Sequence, residues 1–177
     1  MTRSEGFVVW LTGLPCAGKS TIAKALAEEL VARNRPVEIL DGDALRQVLS
    51  QELGYSREHR DMNVRRVGFV ADLLSRNGVA AIAAIVSPFR ALREELRAML
   101  GNRFVEVYVA CPLQVCEQRD VKGMYAKARA GLLAKFTGVD DPYEPPEHPD
   151  VRVDTNVEDV RQCAVRIIRY LEKFGVR

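Results

Sequence analysis

Gly13-Leu14-Pro15-Cys16-Ala17-Gly18-Lys19-Ser20 has the spacing G-x-x-x-x-G-K-S, and the residue types at those positions suit one task. Glycines let the backbone turn tightly, so that successive N–H groups converge on a point at a helix N-terminus, where a phosphate is favoured. A lysine beside that point reaches the β- and γ-phosphates of a nucleoside triphosphate, and the adjoining hydroxyl of Ser20 is a magnesium ligand. Downstream, Asp41-Gly42-Asp43-x-x-Arg46 sets two carboxylates and a guanidinium behind an apolar run. At the carboxyl end of a parallel strand such carboxylates face the phosphates. There Asp41 or Asp43 holds magnesium through water or accepts a proton from an attacking hydroxyl. Asp43 also reads as the N-cap of a following helix, a role compatible with the first.

These groups have to be positioned by strands and helices, and the sequence alternates between the two periods. Phe7–Thr12, ended by Gly13, reads as a buried strand, and Ile22, Ala25, Leu26 and Leu30 form a helical stripe within 19–33. Val37–Leu40 is a second strand ending at Asp41. Residues 44–53 read as a short helix closed by Gly54, and Val64, Val67, Ala71 and Leu74 mark a longer one closed by Asn77-Gly78. Val79–Val86 is a third strand, fully apolar, followed by a helix over 92–100 and a fourth strand over 104–109. Pro112 opens another helix carrying Val115, Cys116 and Arg119. Val151–Val153 is a last short strand, and Thr155-x-x-Glu158 reads as a capping box for a final helix with Val157, Val160, Ala164, Ile167, Ile168 and Leu171 inward. The alternation predicts an α/β fold, a parallel sheet covered on both faces in a three-layer α/β/α sandwich. Residues 120–149 break the pattern: they have no clear strand and switch from basic (Lys122, Lys127, Arg129, Lys135) to acidic (Asp140, Asp141, Glu144, Glu147). They read as a lid or as a solvated surface excursion.

Composition narrows the function class. The 177 residues suit one domain, and 26 Lys+Arg against 24 Asp+Glu give a net charge of +2, too balanced for a chain whose main task is coating nucleic acid or anionic membrane. No apolar run approaches the roughly 20 residues needed to cross a bilayer, and no signal peptide is evident, so a cytoplasmic protein is expected. Four cysteines without a C-x-x-C pair, with two histidines, read as free thiols rather than a zinc site. No N-K-x-D guanine signature occurs, and a kinase of small metabolites is the best class for a phosphate loop in a chain of this length.

A longer series of motifs then carries a family resemblance. The phosphate loop, Asp41-Gly42-Asp43-x-x-Arg46, Arg60-Asp61-Met62-Asn63-Val64-Arg65-Arg66-Val67-Gly68 and Ser87-Pro88-Phe89 occur in order. Asp120-Val121-Lys122-Gly123-Met124-Tyr125-Ala126-Lys127-Ala128-Arg129-Ala130-Gly131, Phe136-Thr137-Gly138-Val139-Asp140 and Pro142-Tyr143-Glu144-Pro145-Pro146 complete the set. Together they resemble the adenylyl-sulfate kinase (APS kinase) family of P-loop kinases. The resemblance implies transfer of the ATP γ-phosphate, with Mg²⁺, to the 3′-hydroxyl of adenylyl sulfate, giving 3′-phosphoadenylyl sulfate. It implies ATP contacts from Gly13 through Thr21 (Gly13, Leu14, Pro15, Cys16, Ala17, Gly18, Lys19, Ser20, Thr21) and from Thr155, with Ser20 and Asp41 at the metal.

For the acceptor, the resemblance implies Asp43, Arg46, Tyr55, Arg60, Asn63, Arg66, Val86, Ser87, Lys122 and Lys135, with Phe89 and Phe136 sandwiching the adenine. Arg60, Asn63 and Arg66 would grip the phosphosulfate, a task for which planar guanidinium forks are suited. Without the resemblance, solvated surface side chains are the better reading of these residues. Lys19, Asp43 and Lys122 would be catalytic, and Ser87 stands where a phosphoserine intermediate is described for the family, although in-line transfer needs none. A homodimer and pairing with ATP sulfurylase are also implied. The chain departs from the family pattern at Pro15-Cys16, where Ser-Gly is usual, at Met62, where Glu is usual, and at His59, where an acidic residue is usual. Two other readings are a kinase for a different small metabolite and a nucleotide-binding regulatory module without turnover.

Overall fold

In the computed structural model, which describes residues 6–176, the β-branched opening run is strand β1 (Phe7–Thr12), with all of its side chains buried. Alternate residues serve opposite faces, as the period of a strand demands. Phe7, Val9 and Leu11 join one apolar cluster, and Val8 and Trp10 join another. The chain continues through α1 (Lys19–Ala32), β2 (Val37–Asp41), α2 (Gly42–Leu49), α3 (Arg57–Arg76), β3 (Ala80–Ala84) and α4 (Arg90–Leu100). It then forms β4 (Phe104–Ala110), α5 (Leu113–Arg119), α6 (Met124–Arg129), β5 (Val151–Asp154) and α7 (Val160–Leu171).

All strand pairs are parallel, in the order β2-β3-β1-β4-β5. Helices α1 and α7 cover one face, where Ile22, Leu26, Leu30, Ile167 and Leu171 meet β1 and β4. Helices α3 and α4 cover the other, where Val64, Val67, Leu92 and Leu96 pack on Val8 and Trp10. Apolar strands between two helical layers form the sandwich that the sequence predicts. The chain winds from β1 out to β2, back to β3, and across β1 to β4, so the loops beyond the strands' carboxyl ends open a crevice at the centre of the sheet. Among the described residues, no helix is long and apolar enough to cross a membrane.

Several local expectations need correction, each for a physical reason. The third strand stops at Ala84, because residues 85–87 leave the sheet: the Thr12 hydroxyl donates to the Val86 carbonyl at 2.8 Å and Ser87 turns into the left-handed region at φ 40°. The helix expected over 44–53 is α2, displaced toward the N-terminus and capped by Asp41, whose Oδ1 accepts from the N–H groups of Asp43 (3.1 Å) and Ala44 (3.3 Å); Asp43 is not the cap. Helix α3 begins at Arg57, about two turns before Val64, the first position of its expected apolar stripe, because Ser56 caps it through the His59 N–H. The capping box of α7 is Asp159 with Gln162, not Thr155 with Glu158, so Val157 lies outside the helix, 76% exposed, and Val160 is exposed at its first position. Ala25 is only half-buried on α1, where Ala23 completes the buried stripe instead.

Candidate active site

The turn between β1 and α1 is built by two glycines. A Cβ on Gly13 would lie 2.5 Å from the Val109 carbonyl oxygen, so only glycine lets the loop pass so close to β4. Gly18 takes φ +100°, a conformation that glycine adopts without steric penalty, and so turns the loop into the start of α1. The loop is tied down around its circumference. Ala17 N–H donates to the Leu14 carbonyl at 3.2 Å, the Tyr125 hydroxyl donates to the Pro15 carbonyl at 3.0 Å, and the Thr155 hydroxyl donates to the Ala17 carbonyl at 2.8 Å. Lys19 lies inside this ring, its Nζ donating to the carbonyls of Gly13 (2.9 Å) and Leu14 (2.7 Å). Burial lowers its ammonium to about 8, against the opposing pull of neighbouring thiols and of the Asp43 and Asp41 carboxylates.

Ser20 donates to Asp41 Oδ2 at 2.8 Å, joining the first turn of α1 to the end of β2. Burial pushes the Asp41 carboxyl up, but the hydrogen bonds from Ser20, Ala44 and Asp43 outweigh it and hold the group below its ordinary value. A hydroxyl and one carboxylate beside a phosphate loop are the hard-oxygen donors that suit Mg²⁺, which takes few protein ligands and completes its shell with phosphates and water. Across the mouth, Lys122 pairs with Asp43 Oδ2, and this hydrogen bond raises the Lys122 ammonium and keeps it charged.

A cavity of about 770 Å³ runs from this loop along the carboxyl ends of the strands. The loop end is walled by Cys16, Lys19, Ser20 and Thr21, with Arg119 and Thr155 beyond them. The far end is walled by Asp43, Arg46, Tyr55, Arg60, Asn63, Val86, Ser87 and Phe136, and Lys122 borders the space between. The far end is unusually polar for a buried surface. Arg60 is 8% exposed and Asn63 6%, and Asn63 Oδ1 has no hydrogen-bond partner. A buried acceptor without a partner is costly unless a ligand supplies one.

Several expected site residues stand elsewhere. Phe89 is not among the residues that line the cavity: it is buried after β3, with the Arg57 guanidinium 4.3 Å from its ring centre. Phe136 is instead held edge-on by Tyr125, with ring centres 4.9 Å apart at 87°. Arg66 turns away from the cavity toward the Leu49 carbonyl and Glu52 (2.6 Å), because it lies one turn beyond Asn63 on the α2 side of α3. The Lys135 side chain is exposed, and the residue contributes through its backbone, its N–H donating to Asp140 at 2.6 Å and its carbonyl accepting from Arg60. Arg60 also bonds the Tyr55 carbonyl (3.0 Å), Thr137 and Asp141 (3.1 Å), so its fork ties the 135–141 loop to α3. Arg46 faces the cavity with its guanidinium 4.4 Å above the Tyr55 ring. Ser87 is 1% exposed; its Oγ accepts from Trp10 Nε1 and donates to Thr12 Oγ1, each at 3.0 Å, which holds it as a strut rather than free as a nucleophile.

Other residues at the site carry little signal in the sequence. Arg119 donates to Oγ1 (3.1 Å) and the carbonyl (2.6 Å) of Thr155, and so borders the loop end, yet in sequence it is one arginine of many. Tyr125, one of three aromatics in residues 120–149, is the available clue to its anchoring of the loop. Tyr143 is a second such clue: its hydroxyl meets Thr12 Oγ1 at 3.0 Å.

The comparisons with known proteins agree with this geometry. The family model described as adenylylsulphate kinase matches residues 5–154. An adenylyl-sulfate kinase of Synechococcus sp. (strain JA-3-3Ab) is 54% identical over 171 residues, covering 97% of each chain. A probable bifunctional SAT/APS kinase 2 of Sorangium cellulosum is 51% identical over 171 residues, which make up 97% of this chain and 29% of that one. The solved structure of the Mycobacterium tuberculosis APS kinase CysC in complex with AMPPNP and APS superposes with a TM-score of 0.90 at 41% identity, over 95% of this chain and 98% of that one. A phosphate loop opening onto a cavity whose far end carries Arg46, Arg60 and Asn63, and a match along nearly the whole chain, therefore agree, and the chain belongs to the adenylyl-sulfate kinase family.

Proposed function

We propose that the cavity seats ATP at its phosphate-loop end and adenylyl sulfate at its α3 end, with the reacting atoms meeting between Lys19, Asp43 and Lys122. The chain is an adenylyl-sulfate kinase, which transfers the γ-phosphoryl of ATP to the 3′-hydroxyl of adenylyl sulfate and leaves ADP and 3′-phosphoadenylyl sulfate. The observation that carries the placement is the continuity of one cavity from Lys19 to the unpartnered oxygen of Asn63.

Phosphoryl transfer asks little covalent chemistry of a protein and much positioning and charge neutralisation. Loop N–H groups and Lys19 hold the β- and γ-phosphates; Thr155, gripped by Arg119, and Thr21 border the rest of the nucleotide. Ser20 and Asp41 would hold Mg²⁺, which when bound neutralises phosphate charge. Asp43 accepts the proton of the 3′-hydroxyl, and Lys122 beside it follows the charge that moves toward the acceptor. Arg46 and the side-chain N–H groups of Asn63 meet the acceptor's anionic end while the Asn63 oxygen accepts from a hydroxyl or amino group of the adenosine, Arg60 keeps the 135–141 loop closed over it, and Phe136 offers a ring face to the adenine. Ser87 serves as wall, so the phosphoryl passes directly in line.

The bifunctional SAT/APS naming of the Sorangium relative supports functional pairing with an ATP sulfurylase. A homodimer in the cytoplasm is our reading from the family resemblance. The test is an acceptor panel read by coupled ATP turnover. Adenylyl sulfate should accelerate ATP consumption with formation of the 3′-phosphorylated product, and Lys19→Ala should abolish it while the circular dichroism spectrum is retained. ATP consumption no faster with adenylyl sulfate than with buffer, alongside turnover of another acceptor, would refute the assignment.

A further inference from the structure

Between the sheet and α4 runs a chain of charges, buried at its Arg93 and Glu106 end, that the reaction itself does not use. Arg93 is 1% exposed, and its Nε donates to Glu106 Oε1 at 2.8 Å in the middle of β4. Glu106 Oε2 meets Arg97 at 3.4 Å, Arg97 reaches Asp150 Oδ2 at 2.7 Å, and the Tyr170 hydroxyl donates to Asp150 Oδ1 at 2.6 Å. A guanidinium this deeply buried is stable only if all its donors are used, and the ends of the Arg93 fork are used in an unusual way. Nη1 donates to the carbonyl of Ser87 and Nη2 to the carbonyl of Glu144, each at 2.6 Å.

Those two carbonyls belong to segments 57 residues apart, the first on the acceptor end's wall and the second packed behind it against Pro88. Ser87 is the left-handed residue at the end of the third strand's exit, on the cavity wall. Glu144 lies in the Pro142–Pro146 stretch, whose course is fixed by three further bonds. Its N–H donates to the Pro88 carbonyl at 2.9 Å, its carboxylate accepts from the Arg90 N–H at 2.7 Å, and the neighbouring Tyr143 hydroxyl meets Thr12 Oγ1 at 3.0 Å. Thr12 in turn precedes the phosphate loop and donates to the Val86 carbonyl. One planar fork therefore sets the distance between the acceptor wall and the strap behind it.

We propose that Arg93 is a positioning residue for the acceptor: its fork, oriented by Glu106, holds the 86–88 wall and the 142–146 strap in the register that adenylyl sulfate requires. The proposal rests on the placement of adenylyl sulfate at the α3 end. Arg93→Lys keeps the charge but cannot bridge Glu106 and both carbonyls in one plane. The double variant Arg93→Met with Glu106→Gln removes both charges, so that neither is left buried alone. Because displacements of this kind weaken productive binding steeply, each variant should raise KM for adenylyl sulfate about tenfold or more and leave KM for ATP within about twofold. A purely structural Arg93 would lower Tm and move both KM values together, or neither; that outcome in either folded variant overturns the proposal.

A readout that needs no variant is Trp10, the single tryptophan, whose indole N–H bonds Ser87. In the unaltered protein adenylyl sulfate should change its emission, and a non-hydrolysable ATP analogue alone should not. Emission insensitive to adenylyl sulfate overturns the proposal whether or not the variants fold. Failure of the underlying placement is distinct: the unaltered enzyme would then show no acceptor-dependent turnover at all.

Discussion

Lys19 is a charged group in a site built to wait for negative charge. Burial brings its ammonium from 10.5 to about 8, a difference worth roughly 3 kcal/mol against the charged form. Phosphate oxygens arriving at Nζ replace two neutral carbonyl acceptors with anionic ones and return the group toward its ordinary value. Binding therefore takes up protons. At pH 8 about half of the free protein has a neutral Lys19, so an ATP analogue should bind with uptake of about 0.5 proton; at pH 6.5 the uptake should be about 0.03 and at pH 9 about 0.9. The assay is titration calorimetry of a non-hydrolysable ATP analogue with magnesium, at fixed pH, in buffers of different ionisation enthalpy, where the slope of heat against that enthalpy is the proton number. Lys19→Met should abolish the uptake. The sign for stability follows from the same shift. The unfolded chain binds more protons than the folded one between pH 8 and 10.5, so nucleotide-free stability should rise with pH across that window, with the full penalty present below pH 8. Lys19→Met should then raise Tm at pH 7 while destroying activity. A zero proton slope at pH 8 in the unaltered protein, or the same uptake in Lys19→Met, would refute the reasoning.

Two further perturbations follow from the loop and its neighbours. Gly13→Ala puts a carbon 2.5 Å from the Val109 carbonyl oxygen; the loop must shift, and affinity for the ATP analogue should fall by about a hundredfold in calorimetry, with the sheet intact by circular dichroism. Asp41→Ala removes the N-cap of α2 and should cost about 1 kcal/mol in urea unfolding at pH 7. Because the Asp41 carboxyl is held below 3.8, that deficit should be full above pH 3.8 and should shrink as pH falls through the folded value.

How far the sequence led depends on the range of the interactions involved. The phosphate loop, five strands and both helical layers follow from local patterns: β-branched runs, helical stripes and a motif confined to eight residues. The acceptor end follows them less well, because its geometry is decided by contacts between distant segments. Arg66 and Asn63 lie three residues apart on α3, yet Asn63 faces the cavity and Arg66 bonds the Leu49 carbonyl, a difference set by where α2 ends. Phe89 follows a strand end, as a base-stacking ring would, but Arg57 lies over its face from the first turn of α3. Thr155 and Glu158 have the capping-box spacing, but the box is at Asp159 and Gln162. The Thr155 hydroxyl is spent on the Ala17 carbonyl and the Glu158 carboxylate on the Asp154 N–H at 2.8 Å.

The Pro15-Cys16 departure from the family pattern shows the two levels acting together. Cys16 sits at φ 61°, in the left-handed region, which accounts for the usual glycine at that position. A side chain there costs on the order of 1 kcal/mol in the folded state. Glycine, however, gives the unfolded chain more freedom, a loss on folding of similar size that cysteine avoids, and proline at 15 restricts the unfolded chain further. The second effect offsets part of the first. Pro15 gives up an N–H, but its carbonyl is the group that Tyr125 grips, so the residue's remaining polar atom still anchors the loop. The loop's shape is thus over-determined by Gly13 against Val109, by Tyr125 and by Thr155, and an arrangement held from three sides tolerates a change of residue at the point of strain.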